Sequence, residues 1–414
     1  MYAEHAYLSG LYNAPGSTAA YARTGGAYAR QGAEDPINFG EDEEDPPLDV
    51  APARTRAGYP AADVVRQLTV ALQQSGAESA AKSLHYSADL ITSGCYDHWQ
   101  KLLWDYVIDH VGIASPRIFF FLRRQFAALD AAKARAEVEV FYREPVNQRM
   151  LAECVLVARL CNRKPTLKWP RVPPETHTDE WVSSIFDKVP DSPLVRRVWT
   201  QGMDARIALR VGNEYVAAVD AGATEKALFV IKWLMEEESY VRRSTKSFIC
   251  AQGRGPAALP EKQRKSAGMY ILAISAEIYR DLAARSKIKM NEEFQALIQL
   301  YSTPDKRLSA KRRNDILILI VQILCEVPRM AIPSAPVLVA DQASLLRALN
   351  HSQGFFREVL VYDAPAAPIQ KELKKKKVVV KGEKALTAKE KKELKIKEQM
   401  EAMDSMVSQL YGLG

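Results

Sequence analysis

The chain has 414 residues, 47% apolar and 26% charged, with 57 Lys+Arg against 50 Asp+Glu, a formal net charge of +7 and 5 cysteines. This is the composition of a globular protein long enough for two or three domains. It excludes a helical membrane span, because the longest apolar run, 316–325, falls short of the ~18 residues required and contains Gln322.

In chain order, the opening MYAEHAYLSG lacks the basic and apolar regions of a secretory signal, so none is expected. Residues 1–59 carry nine acids and four bases. Tyr2, Tyr7, Tyr12, Tyr21 and Tyr28 stand among Ala, Gly and Ser without helical or strand period, ahead of the acidic run 41–45 and Pro46-Pro47. Such a segment buries too little apolar surface to offset its ordering entropy, so a disordered arm is expected. It reads either as a tyrosine arm for self-association and partner capture or as a passive tail.

From residue 61 the pattern turns helical. Val64, Val65, Leu68 and Leu72 share one face, with Gly76 as a stop; a second helix is expected over 78–92, closed by Gly94. Trp99, Leu102, Leu103, Val107 and Val111 predict a third, and 118–129 and 151–160 complete a first helical domain over 60–170. A connector at 171–222 follows; the stretch 164–193 holds six prolines with Trp169 and Trp181, whose rings are expected to pack it on the body. The same helical order recurs over 223–335. Lys82, Leu84 and Leu90 match Lys226, Leu228 and Leu234, and the helix from Arg149 to Cys161 matches that from Arg313 to Cys325, with an insertion within 239–267. The run ILILIVQIL at 316–324 could be a buried strand, but its counterpart LAECVLVARL favours a helix. A helical cap and linker is expected over 336–370, and a Lys-rich tail over 371–414.

Two basic clusters lie in the second half. The insertion brings Arg242, Arg243, Lys246, Arg254, Lys262, Arg264 and Lys265; Lys306, Arg307, Lys311, Arg312 and Arg313 flank a turn at Pro304. Both suit phosphate contacts with little sequence preference, or else a solvated face. In the tail, Lys374, Lys375, Lys376 and Lys377 suit nucleic acid, an acidic surface or nuclear import. Thr387-Ala388-Lys389-Glu390 is a capping box, and Ile396, Met400, Met403, Val407 and Leu410 then form an apolar stripe that suits a partner groove or a neighbouring subunit.

No catalytic constellation emerges. H-E-x-x-H and G-x-S-x-G are absent, and Ser79 and Lys82 satisfy S-x-x-K without the partner motifs that chemistry needs. Cys95, His98, Cys154 and Cys161 have zinc-ligand chemistry, but the last two stand seven residues apart on one apolar helix, about 10 Å by helical rise. No metal and no cofactor is expected. The 5 scattered cysteines, an odd number, point to reduced thiols in an intracellular compartment, with a nucleus or a viral particle as settings.

The segment WDYVIDHVGIASP at 104–116 resembles part of the C-terminal helical region of the RarA/MgsA replication-associated recombination ATPases, where an acidic pair precedes Gly, a small residue and Pro. The resemblance extends loosely over 81–165. It implies a clamp-loader-collar-like helical bundle that mediates oligomerisation near replication forks. Here His110 follows Asp109 where the family has its acidic pair, and no G-x-x-x-x-G-K-[ST] exists to hold a nucleotide. The expectation is an all-α protein of two related collar-like bundles without the motor. It would serve as a non-enzymatic, homo-oligomeric, DNA-binding scaffold in replication, repair or genome organisation, with no membrane role. A structural assembly protein, such as an inner virion component joined through its arms, is the alternative.

Overall fold

The computed structural model describes residue 48, residues 51–186 and residues 189–363. The chain is all-α: among the described residues there are isolated β-bridges but no strand. In the first half, α1 (Ala61–Gln73) buries Val64, Leu68, Ala71 and Leu72, a stripe at helical spacing, against α2 (Ala77–Thr92). Next come α3 (Tyr96–Tyr106), α4 (Arg117–Lys133), the short α5 (Val138–Arg143) and α6 (Pro145–Leu160), which opens with a proline that needs no amide partner there. The Trp99 and Trp104 rings meet Phe126 of α4 edge-on, 5.7 and 5.3 Å between centroids.

Between α3 and α4 the helix widens into a π turn, Val107–Val111, and tightens into a 3-10 turn, Gly112–Ala114. The connector uses the carbonyls of this irregular stretch: Lys164 N donates to Val111 O (3.2 Å), Thr166 N to Asp109 O (3.2 Å), and the Thr166 hydroxyl to Ile108 O. The connector then forms a 3-10 turn, Pro174–His177, and two short helices, α7 (Asp179–Phe186) and α8 (Pro193–Arg196). Its rings pack as expected. Trp181 and Phe186 lie on Trp233, at 6.2 and 4.9 Å, and Trp233 Nε1 donates to Thr176 O (3.0 Å).

The second half comprises α9 (Arg206–Ala221), α10 (Thr224–Thr245), the single turn α11 (Glu261–Arg264), α12 (Ala267–Ala284), α13 (Asn291–Ser302) and α14 (Ala310–Glu326). The run ILILIVQIL is helical and buried on every side from Ile316 to Cys325, so α14 is the central helix of this half. A last helix, α15 (Gln342–Val359), returns to the first half and packs on α2 and α6.

The described residues belong to one compact unit, in which α4 packs against α13 and α14 reaches the Gly112–Ala114 turn. One expected boundary is corrected. The expected disordered arm runs to residue 59, yet Arg56 is buried: its backbone N donates to Ser93 Oγ (2.8 Å), its Nε to Thr92 O (2.7 Å), and its guanidinium pairs with Glu139. A guanidinium needs several fixed acceptors to be buried, and the α2 C-terminus with α5 supplies them. Residues 1–47, 49 and 50 of the arm lie outside the described residues.

Candidate nucleic-acid interface

The first basic cluster begins in the last turn of α10, where Arg242 and Arg243 face the negative end of the helix dipole. The helix stops at Lys246, which adopts a left-handed conformation (φ 58°). Phe248 follows, half-buried, with the Arg242 guanidinium 5.8 Å and the Lys265 ammonium 5.6 Å from its ring centroid. An aromatic ring beside two cations is the local chemistry that stacks on bases while meeting phosphates. Arg243 and Lys246 are exposed beside it. Lys265 also pairs with Glu261 of α11 (2.5 Å). Phe248 was not singled out in the sequence; an aromatic next to a basic run was the available signal.

Arg254 does not belong to this surface. It is 4% exposed, pairs with the buried Asp204, donates to Val198 O (3.1 Å) and Gln252 O (2.8 Å), and lies 4.8 Å from the Tyr270 ring centroid. The insertion is therefore pinned, and its arginine is a core cation. Arg264 accepts the Arg254 amide through its own carbonyl (2.8 Å) and keeps a half-buried side chain whose Nε is buried without a partner.

The second cluster is largely consumed by internal pairs. Arg307 binds Asp305 (2.7 Å), Asp130 (2.8 Å) and Gln100 Oε1. Arg312 meets Asp105 (2.9 Å), Asp109 (2.5 Å) and Asp315 (3.3 Å), and Lys306 pairs with Asp97. Burial alone would lower both guanidinium pKa values, but the surrounding carboxylates outweigh it and hold them above the ordinary arginine value. These residues join the two halves of the body and are corrected from phosphate contacts to joints. Lys311 is exposed and Arg313 partly so. Lys374 to Lys377 and the stripe Ile396, Met400, Met403, Val407 and Leu410 lie outside the described residues.

The remaining chemistry-bearing residues are built into the body. Ser79 donates to Ala71 O (2.7 Å), while Lys82 pairs with Glu78 (2.6 Å), so the S-x-x-K residues face different partners. All five cysteines are buried, and burial pushes Cys95 and Cys325 up to about 11 and Cys161 to about 12, which keeps these thiols protonated near neutrality. No grouping of three or more His, Cys, Asp or Glu suited to a metal exists among the described residues, and none of the helices searched among them is long and apolar enough to cross a membrane.

No family model, curated protein or solved structure matches the chain.

Proposed function

We propose that this protein is a non-enzymatic, oligomerising, all-α scaffold that binds nucleic acid through the end of α10 and the loop that follows. The observation that carries this is Phe248 with Arg242 and Lys265 beside its ring and Arg243 and Lys246 exposed nearby. Cations alone would suit any polyanion; an aromatic among them adds a stacking platform, which favours nucleic acid and particularly single strands or forks. The Lys-rich tail would add affinity without sequence preference.

The finer architecture we propose is a duplicated, collar-like bundle related to the RarA helical region. The order of packing supports it. α1 pairs with α2 as α9 does with α10, α6 packs on α1, α2 and α4 as α14 does on α9, α10 and α13, and α3 meets α1 and α2 as α12 meets α9 and α10. The resembling segment 104–116 would then serve as an internal joint, since Asp105 and Asp109 pair with Arg312 of the second half.

Fluorescence anisotropy with single-stranded, forked and duplex DNA and with single-stranded RNA, at several salt concentrations, tests this reading. Binding should weaken steeply with salt, and the triple change Arg242→Glu, Arg243→Glu, Lys246→Glu should reduce affinity by at least ~10-fold. No binding at low salt, or an unaffected triple variant, overturns it. The second reading, an assembly protein, draws on the exposed Val138, Val140 and Val146 at the start of α5 and α6 (53%, 54% and 63% exposed), which suit a subunit contact. Light scattering with and without residues 371–414 separates the tail's part in assembly from its part in binding.

A further inference from the structure

Away from the basic clusters, α2, α6 and α15 enclose an open cavity of about 550 Å³, within the range of small-molecule sites. Its floor is apolar: Ala80, Ala81 and Leu84 of α2, Leu156 and Leu160 of α6, and Phe355 of α15. One end is cationic. Arg159, only 7% exposed, lines the cavity; one of its terminal nitrogens, Nη2, donates to Gly76 O (2.5 Å), while its Nε is buried with no acceptor. No carboxylate pairs with Arg159 among the described residues, and its neighbour Arg163 is likewise held by the main-chain carbonyls of Leu72, Gln73 and Arg159. Burial first, and then the charge of Arg163, lower the Arg159 guanidinium below the ordinary arginine value, the signature of a cation short of counter-charge.

Two further features converge on that end. Gly76 caps α2 without a side-chain hydrogen bond, which leaves the first-turn amides of a 16-residue helix without a side-chain acceptor at the cavity mouth. Arg347 and His351 of α15 also line the cavity. Two carboxylates stand nearby: Asp341, which also lines the cavity, accepts the Ser344 amide (2.9 Å) as the N-cap of α15, and Glu78 pairs with Lys82 (2.6 Å). We infer that this cavity binds a small amphiphilic anion, its carboxylate or phosphate head held by Arg159, Arg347 and the α2 N-terminus and its apolar body lying on the alanine-leucine floor. The site is independent of the nucleic-acid reading, because none of its elements carries a residue of the basic clusters.

Isothermal titration of the full-length protein with decanoate, decyl phosphate, decanol and inorganic phosphate tests the inference. At least one of the two anionic amphiphiles should saturate a single site, and comparing them identifies the preferred head group. Decanol and inorganic phosphate should each bind at least ~10-fold more weakly, since each lacks one of the two contacts. Arg347→Ala, on the exposed face of α15, should weaken the anions by about tenfold and leave decanol unchanged. Ala81→Phe, which fills the floor from a partly exposed position, should abolish binding with the circular dichroism spectrum unchanged. Absence of saturable binding by both amphiphiles, equal binding of decanol or of inorganic phosphate, or full binding by the Ala81→Phe variant would each overturn it.

Discussion

At the scale of single residues, the protein settles its buried charges in two ways. Arg254 is neutralised by Asp204 and surrounded by acceptors, so its burial is paired and hydrogen-bonded. Glu238 has no such cation in direct contact. It is 4% exposed, accepts the Ala267 amide at the start of α12 (2.6 Å), and has a second oxygen without a partner. Burial pushes its carboxyl up from 4.5 to about 7, against the lowering effect of that amide. A carboxyl raised on folding keeps its proton where the unfolded chain has lost it. Its contribution is therefore complete below about pH 4.5 and lost as pH rises through about 7. The expected loss is on the order of 3 kcal/mol across that window, from ~1.4 kcal/mol per unit. Urea unfolding between pH 4.5 and 8 should show it, and Glu238→Gln, which keeps an acceptor for Ala267 without the charge, should remove most of this slope. A variant whose stability follows the same pH curve as the parent would show that another group titrates.

At the scale of elements, the helices were legible because their cores follow the 3.6 period: the stripe Val64, Leu68 and Leu72 and the run from Ile316 to Leu324 are buried as the pattern requires. The turn between α3 and α4 was not. Nothing in VIDHV distinguishes a π turn from an α-helix, since the widening depends on Lys164 and Thr166, more than fifty residues on, claiming its carbonyls. Gly112 marks the place. It has φ +53°, and a Cβ there would lie 2.7 Å from Lys164 O and 3.0 Å from Thr166 Oγ1. Gly94, after α2, has φ +85° with nothing within 4 Å of a Cβ. Gly94→Ala should cost only the left-handed conformation, about 1–2 kcal/mol. Gly112→Ala adds a backbone clash and should cost about 2–4 kcal/mol in all. Equal losses in denaturant unfolding would mean that the connector yields freely and does not lock the turn.

At the scale of the whole molecule, the net charge of +7 divides between what faces solvent and what holds the body together. The basic clusters were visible in the sequence, but their roles were not, because the deciding partners are remote: Asp130 lies 177 residues from Arg307, and Asp109 lies 203 from Arg312. Arg243 and Lys246 are exposed and keep the solvent-facing character the sequence suggested. The two groups should therefore separate by experiment. Arg307→Met and Arg312→Met remove cations that are 16% and 21% exposed and leave Asp130 and Asp109 facing apolar side chains across the joint between the halves. Breaking a fully buried pair costs about 3–5 kcal/mol; Asp130 and Asp109, 37% and 43% exposed, are screened by solvent, while Asp305, Asp105 and Asp315, 20%, 28% and 17% exposed, are screened less, so the expected loss is about 2–3 kcal/mol each. If the joint couples the halves, the double variant should unfold in a broader or two-step transition, with protease cutting first in the connector. Its nucleic-acid affinity and salt slope, measured while folded, should match the parent, whereas the Arg242, Arg243, Lys246 triple variant should lose affinity without losing cooperativity. A double variant that unfolds as sharply as the parent but binds more weakly would return Arg307 and Arg312 to the binding surface.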